Sequence, residues 1–267
     1  MSVDAATQRA IRAATVGELA WLDGAGRPHA RPVTPLLLDN EPTIAFPYAE
    51  VALARRLATA PHAALVISDD RLTGRDWQPM VLHGRTRLIE DPDGTLFADR
   101  LLEQELRKYP PARALLDSPL LRREHWWYLP RLIVTLEVTA SAPVGVRRDG
   151  NGEVLVVGTA DRRLAVATVR RLSGGEPGIR VAGLASGPLP TGAAVLLEHD
   201  FSRPDLERWT PWLTRGRLTG DRLAVAEAPD RAPLAPPLGV WQRLTRHRRL
   251  ARACRRALDG EAAARRA

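Results

Sequence analysis

The sequence DGAGRPHARPV occupies residues 23–33 and decides how the first part of the chain folds. Its first four residues, Asp23-Gly24-Ala25-Gly26, form turns readily, and apolar runs lie on both sides of them, at 18–22 and 28–38. Two apolar runs joined by a short turn that contains glycine are typical of a β-hairpin. A second turn at 39–42 leads into another apolar run at 43–46. The pattern therefore predicts an antiparallel meander.

Beyond the meander, the pattern predicts a few helices and many short strands. Residues 50–60 place Val51, Ala54 and Leu57 at helical spacing, and Pro61 ends that run. A second helix is predicted at 93–109. Further strands are predicted at 63–68, 80–89, 126–138, 153–157, 164–172, 179–184, 193–198, 209–218 and 222–226. Short strands with turn residues between them favour a β-barrel, so the fold class is mainly β with a few helices (α+β).

An internal repeat divides the chain into two parts. Residues 17–46 align without gaps on 152–181. The identical residues include a Gly-Glu pair, at 17–18 and 152–153, and a Glu-Pro pair, at 41–42 and 176–177. A second block, Trp-x-Pro at 77–79 followed by Gly84-Arg85, recurs at 209–211 and Gly216-Arg217. The alternative is that these identities arise by chance in a chain whose amino-acid composition is biased. The repeat predicts two domains of similar fold, residues 1–142 and a shortened 143–230, followed by a Pro-rich linker and a basic helix within 231–267.

Composition excludes several classes of protein. The chain has 267 residues, of which 45% are hydrophobic and 26% charged, and this balance excludes a fibrous or wholly disordered protein. No apolar run approaches the roughly 20 residues of a membrane-spanning helix, and no secretory signal is evident. The single cysteine, Cys254, allows no intrachain disulfide and favours a cytoplasmic location. The six histidines show no metal-ligand spacing, so no metal site is predicted.

Three motifs in a fixed order carry a family resemblance. The sequence at 23–33 is followed by LARRLATAP at 53–61 and HGRTRL at 83–88. In this order the motifs resemble those of the flavin-binding split-barrel superfamily, the pyridoxamine 5′-phosphate oxidase-like proteins, over residues 15–138. The resemblance implies a six-stranded split β-barrel that binds FMN or a deazaflavin at a dimer interface and acts on a small-molecule substrate. Together with the repeat, it implies two tandem copies packed as an intrachain pseudo-dimer, which could pair again as a homodimer.

The resemblance also implies where a cofactor would bind. FMN needs cationic or N–H donors for its phosphate and a dry groove for its ring. Arg31 lies on the strand where the family often places a phosphate-binding cation. At the family's second phosphate position, Val51 and Leu53 stand where Ser and Lys are usual. The predicted cofactor-binding residues are Arg31, Tyr48, Arg55, Arg56, His83 and Trp127.

Three functions compete on these observations. The leading hypothesis is an FMN- or deazaflavin-dependent oxidoreductase that acts on a small molecule. The second is a degenerate split barrel without cofactor, used as a binding or structural module, because Val51 and Leu53 supply neither hydroxyl nor cation. The third is a haem-binding split barrel, suggested by the free histidines and the appended C-terminal segment. No catalytic residue is identified.

The C-terminal segment is strongly basic. Residues 241–267 contain nine arginines against Asp259 and Glu261. Trp241, Leu244 and Cys254 fall roughly on one side of a helix, with arginines on the other. We interpret the segment as an ordinary C-terminal helix with a solvated arginine face. Contact with anionic lipid or with nucleic acid stays open as an alternative.

Overall fold

The computed structural model describes residues 3–73, 77–109, 126–172, 178–203 and 206–264. Within 126–264 it leaves the side chain of Trp126 undescribed. Glu176 and Pro177, two of the identities in the repeat alignment, lie outside the described residues.

The first unit is a sheet of seven antiparallel strands in the order β2-β1-β5-β6-β7-β4-β3. Helix α1 (Ala5–Ala13) precedes it. The strands are β1 (Gly17–Leu22), β2 (Pro28–Val33), β3 (Leu36–Leu38), β4 (Glu41–Pro47), β5 (Ala63–Ile67), β6 (Met80–Asp91) and β7 (Arg131–Pro143). The hairpin of β1 and β2 turns within 23–27, and Asp39 and Asn40, both with positive φ, turn β3 into β4. The antiparallel meander is as the sequence predicts.

Helices cover one face of this sheet. A 3₁₀ turn (Tyr48–Glu50) leads into α2 (Val51–Ala58). The prediction of a single helix at 93–109 is wrong in one respect. The segment forms two short helices, α3 (Thr95–Arg100) and α4 (Leu102–Lys108). The chain bends between them at Leu101, whose fully buried side chain packs in the same core as Phe97.

The second unit is a closed barrel of six antiparallel strands in the order β10-β13-β12-β11-β8-β9. Its strands are β8 (Glu153–Gly158), β9 (Leu164–Leu172), β10 (Ile179–Gly183), β11 (Gly192–Phe201), β12 (Trp209–Thr219) and β13 (Arg222–Glu227). These bounds match the apolar runs of the sequence within a few residues. Beyond the barrel, helix α5 (Val240–Ala264) ends the described chain.

The two units share a strand order. The series β2-β1-β5-β6-β7-β4 in the first corresponds to β9-β8-β11-β12-β13-β10 in the second. Gly84 and Gly216, equivalent in the repeat, both lie where the ladder register shifts, as at a β-bulge. A Cβ on either glycine would lie 2.1 Å from a backbone oxygen of the next strand. These observations support a repeated fold, but the gap-free alignment is wrong by one residue over β1. Gly84 pairs with Ala63, which pairs with Trp21, whereas Gly216 pairs with Ala194, which pairs with Val157; the alignment matches Trp21 with Val156. Duplication and the domain boundaries stay predictions.

The strand prediction is wrong for residues 126–130. The long strand predicted at 126–138 begins only at Arg131, and a 3₁₀ turn (Trp126–Tyr128) precedes it. Pro130 has no N–H for a ladder hydrogen bond, which places the start of the strand after it. The expected alternation of tryptophans across a sheet therefore does not apply, and Trp127 is buried in the main core.

The fold class is confirmed as mainly β, with two antiparallel sheets and a C-terminal helix. Among the described helices, none combines the length and the apolar character that a bilayer crossing requires. The main core lies between the first sheet and its helices. A second apolar cluster, here called the inter-unit cluster, joins the units through Ala20, Ala64 and Val66 on one side and Val154, Val156 and Val195 on the other.

Candidate functional site

Arg31 lies on β2 opposite Leu19, on the face of the first sheet that carries the main core. Its guanidinium binds both carboxylate oxygens of Glu50, with Nη2 3.3 Å from Oε1 and Nη1 on Oε2. The guanidinium also lies 5.2 Å from the centre of the Phe46 ring. Each partner of the ion pair keeps 33% of its side chain exposed, so solvent reaches the pair.

Arg55 and Arg56 lie on α2, close in sequence to Glu50 at the N-terminus of that helix. Arg55 Nη2 lies 2.5 Å from Glu261 Oε2 and 3.4 Å from Glu90 Oε1. The hydrogen bond from Arg55 to Glu261 and the charge of that carboxylate raise the pKa of Arg55. Arg56 is exposed, and no hydrogen bond or ion pair of its side chain is present among the described residues. Arg31 and Arg55 thus already bind carboxylates of the chain itself.

Tyr48 and Trp127 belong to the main core rather than to an open groove. Tyr48 is fully buried and Trp127 nearly so. Helix α5 packs over both segments and buries Cys254 in the same core, where burial raises the pKa of the thiol. Neither ring faces solvent in this structure, so a ligand would reach them only after a local rearrangement.

His83 lies on the opposite face of the first sheet. It pairs with Ala64 across β5 and β6, and Ala64 belongs to the inter-unit cluster. Cross-strand neighbours share a face, whereas Arg31 shares a face with the main core. Burial, together with the proximity of His62, lowers the pKa of His83 below its ordinary value. The structure therefore brings Arg31, Tyr48, Arg55 and Arg56 to the surroundings of α2 and separates His83 from them.

A buried charge network, which the sequence did not single out, lies between the units. Glu18 on β1 accepts hydrogen bonds from Arg147 Nη2 and, over 2.7 Å, from His199 Nε2 on β11. Arg147 Nε also donates to Ser68 Oγ at 2.9 Å. Arg71 extends the network by binding Asp69, with Nη2 2.7 Å from Oδ2. Burial alone would raise the pKa of Asp69, but the hydrogen bonds and charges of Arg71 and Arg147 outweigh it and hold that pKa below its ordinary value.

The network does not fit a metal ion, although oxygen and nitrogen atoms of Glu18, Asp69 and His199 lie within 4.8 Å of one another. Trp209 Nε1 donates to His199 Nδ1 at 3.2 Å, which fixes the proton of the neutral imidazole on Nε2. A metal at Nε2 would need that nitrogen unprotonated. Arg147 already neutralises the carboxylate beside it. We interpret the network as structural.

The repeat gives no signal for this network. Glu18 and Glu153 are aligned in the sequence and both are buried, but they lie on opposite faces: Glu18 shares a face with Ala20 of the inter-unit cluster, and Glu153 shares a face with Leu155 in the interior of the second barrel. Glu153 binds Arg171, with Nη2 2.6 Å from Oε1, inside the second barrel. A buried carboxylate needs a cationic partner, and only the fold identifies Arg147, which follows β7, as the partner of Glu18.

A surface pocket of about 340 Å³ lies apart from both sites. It is lined by Arg12, Leu37, Leu38, Asp39, Asn40, Arg100 and Gln104. Arg100 is paired with Asp39, and Gln104 holds the backbone of Leu37 through hydrogen bonds to its N–H and carbonyl. These polar groups are therefore already used to join α3 and α4 to β3.

The chain was compared with known proteins. No family model and no curated protein matches it. A heme-binding protein from Mycobacterium smegmatis is 16% identical, with 96% of this chain and all of that one covered and a TM-score of 0.35. The heme storage protein HutZ from Vibrio cholerae is 12% identical over 54% of this chain and 95% of its own, with a TM-score of 0.37. A pyridoxamine 5′-phosphate oxidase-related, FMN-binding protein from Nostoc punctiforme is 13% identical over 63% and 98%, with a TM-score of 0.35. These likenesses carry no argument. By its own strand pairing the chain consists of a seven-stranded antiparallel sheet and a closed six-stranded barrel.

Proposed function

We propose that the first unit binds an anionic, planar cofactor of the flavin class, with FMN as the leading candidate. The anionic end of the cofactor would bind Arg31. The observation that carries the proposal is the pair of Arg31 and Glu50, in which two guanidinium nitrogens bind two oxygens of one anionic group. Phosphate and carboxylate share this geometry. The ion pair is solvent-accessible, so an incoming phosphate could compete for it.

Replacement of Glu50 by a phosphate costs little and adds acceptors. An exposed ion pair contributes only about 0–1 kcal/mol to stability. A phosphate carries more acceptor oxygens than a carboxylate, so it can bind a second donor besides Arg31. Arg56 on α2 is exposed and available as a further donor, whereas Arg55 is bound by Glu261 and Glu90, and Val51 and Leu53 supply none. The residues therefore fit the anionic end of the cofactor, and Arg31 would bind it.

When bound, FMN would supply the two-electron redox chemistry, and the protein would supply position and electrostatics. The oxidoreductase role on a small molecule is proposed only together with the cofactor, and no catalytic residue is assigned. A deazaflavin offers an anionic group of the same kind. Haem offers carboxylates in its propionates, which Arg31 would bind in the same way.

The second candidate is a split barrel without cofactor that acts as a binding or structural module. It is favoured because carboxylates of the chain itself already bind the arginines: Glu50 pairs with Arg31, and Glu261 pairs with Arg55. The burial of Tyr48 and Trp127 beneath α5 favours it as well. On this view the arginines near α2 have become structural.

We further propose that residues 1–142 and 143–230 arose by duplication and pack as an intrachain pseudo-dimer, in a cytoplasmic protein. The shared strand order and the equivalent bulge glycines, Gly84 and Gly216, support duplication. The inter-unit cluster supports the pseudo-dimer. A further pairing of two chains stays open.

The test is a binding measurement with FMN and with haem. Purified protein is mixed with each, passed through a gel-filtration column and examined for retained flavin absorption or a Soret band. Arg31→Ala is expected to weaken FMN binding about tenfold or more, because it removes a bidentate partner of the phosphate. Glu50→Gln is expected to tighten binding, because it removes the competing carboxylate.

Arg87→Ala is the matched control, since Arg87 is half-exposed on β6 and pairs with Glu41 and Glu137 away from α2. It should leave FMN affinity unchanged. Retention of haem but not flavin would move the proposal to the haem-binding form. Retention of neither cofactor, by the wild type and by Glu50→Gln alike, would overturn the proposal in favour of the module without cofactor.

A further inference from the structure

Helix α5 is attached to the body of the protein mainly through its second half. Cys254 is fully buried there, and Leu250, Ala251, Ala257 and Leu258 pack against the main core. These residues cover the segments Tyr48–Glu50 and Trp126–Tyr128. The second half of α5 is thus an integral part of the first unit.

The first turns of α5 expose large apolar side chains. Val240 is 75% exposed, Trp241 79% and Leu244 37%. Among the described residues, the other exposed large apolar side chain is Val225. Val240 and Leu244 are spaced four residues apart and continue the stripe of Ala251 and Leu258, which is docked further along the helix. The apolar stripe of α5 therefore extends beyond the half of the helix that packs against the first unit.

The orientation of these turns is fixed from the opposite side of the helix. Arg243 Nη2 donates to Glu207 Oε2 at 2.8 Å, and Arg246 Nη1 donates to the Glu207 carbonyl at 3.0 Å. At 100° per residue, Arg243 and Arg246 point roughly away from Trp241. The two arginines thus hold α5 against the loop before β12 and leave the Trp241 side facing solvent.

Arginines without partners line the same outward side. Arg248 and Arg252 lie seven and eleven residues after Trp241, which places them on its side of the helix. Arg249 and Arg256 flank them. All four are exposed, and within the described part of the chain their side chains make no hydrogen bond or ion pair. An exposed tryptophan with aliphatic neighbours therefore stands at one end of a cationic stripe, with Asp259 as an acidic residue on the same side at the other end.

We propose that this outward face of α5 docks on the surface of an anionic phospholipid bilayer. The arginines complement the charge of the headgroups, and Val240, Trp241 and Leu244 enter the boundary between headgroups and acyl chains. Tryptophan prefers that boundary because one end of its ring is apolar and the other is polar. A nucleic acid would also attract the arginines, but it offers no apolar environment for Val240 and Leu244, so the bilayer accounts for both features.

Co-sedimentation of the full chain with vesicles tests the proposal. The protein is expected to sediment with vesicles of phosphatidylcholine and phosphatidylglycerol and to stay in solution with phosphatidylcholine alone. Trp241→Ser and the double variant Arg248→Gln/Arg252→Gln should each weaken binding at least about tenfold, the first by loss of apolar insertion and the second by loss of charge attraction. Because these side chains are exposed, both variants should keep the thermal unfolding midpoint of the wild type.

The matched control, Arg87→Gln/Arg163→Gln, removes the same charge from two exposed sites outside α5 and should bind vesicles as the wild type does. Equal sedimentation with neutral and anionic vesicles would overturn the proposal, as would equal losses in the control and in Arg248→Gln/Arg252→Gln. Anisotropy of a labelled single-stranded RNA provides a further check. RNA binding that survives Trp241→Ser, with no sedimentation on anionic vesicles, would assign the face to nucleic acid instead.

Discussion

Glu18 and Arg147 form an ion pair whose side chains are both fully buried between the two units. Removing two charges from water is costly, and the cost is offset only when each charge has several well-placed partners. Here Arg147 also binds Ser68, and Glu18 also accepts a hydrogen bond from His199, whose neutral tautomer is set by Trp209. The pair therefore depends on groups from both units, and we expect it to be sensitive to the loss of any one.

Arg147→Met should lower the free energy of unfolding by about 3–5 kcal/mol, because it leaves the Glu18 carboxylate buried without its cation. Urea denaturation followed by circular dichroism measures the change. The double variant Glu18→Gln/Arg147→Met should recover part of the loss, since no unpaired charge remains. Arg163→Met is the control, because that arginine is 80% exposed. A loss as large in the control as in Arg147→Met would contradict this reading of the network.

At the residue scale, the sequence identified the cations near α2 but not what they bind. Arg31, Arg55 and Arg56 do lie on the predicted strand and helix, because local patterning determines which element carries a residue. The carboxylates that bind Arg31 and Arg55, namely Glu50, Glu90 and Glu261, come from different segments of the chain, which no local pattern encodes. His83 was grouped with the cofactor residues although strand alternation places it on the other face.

At the element scale, Gly84 and Gly216 allow two long strands to bulge at equivalent places. Gly84→Ala would place a Cβ 2.1 Å from the carbonyl oxygen of Glu137, a residue of β7 that the ladder holds against β6. Neither strand can move away without loss of hydrogen bonds. The close approach explains why the repeat retains glycine there while the preceding residue differs, His83 in one copy and Arg215 in the other.

Gly84→Ala and Gly216→Ala should each lower the free energy of unfolding by about 1–3 kcal/mol, through overpacking against the neighbouring strand. Thermal unfolding of each variant measures the shift. Gly24→Ala is the matched control, because an added Cβ there meets nothing within 4 Å. If Gly24→Ala destabilises the protein as much as the two bulge variants do, the steric account of the bulges is wrong.

Most strands could be predicted because turns and alternating apolar residues are local signals. The apolar run at 164–172 matches β9 residue for residue, and the helix predicted at 50–60 matches α2 within two residues at each end. The failures lie where tertiary packing decides. The aromatic residues of 126–128 bury in a 3₁₀ turn instead of a strand, and the chain bends at Leu101 to bury it beside Phe97.

At the scale of the whole molecule, the two units share a single interior. The inter-unit cluster packs side chains of β1 and β5 against those of β8 and β11, and the buried charge network joins the same strands. Either unit alone would expose this apolar face and leave Glu18 or His199 without its partner. The repeat predicts two similar folds, but it does not predict which faces of the two units meet. Those faces are formed by side chains that lie far apart in the sequence.

A charge introduced into this shared interior should therefore affect both units at once. Val156 on β8 is fully buried in the inter-unit cluster, and Val156→Asp should lower the free energy of unfolding by about 3–5 kcal/mol through burial of an unpaired carboxylate. Val225→Asp is the matched control in the same barrel, because Val225 is 39% exposed on β13. Urea denaturation followed by tryptophan fluorescence and by circular dichroism measures both variants.

The wild type should unfold in one transition by both probes, since units that share a core and an ion-pair network are expected to unfold cooperatively. Two separate transitions in the wild type, together with a Val156→Asp effect confined to one of them, would mean that the units are independently stable and that the inter-unit cluster contributes little.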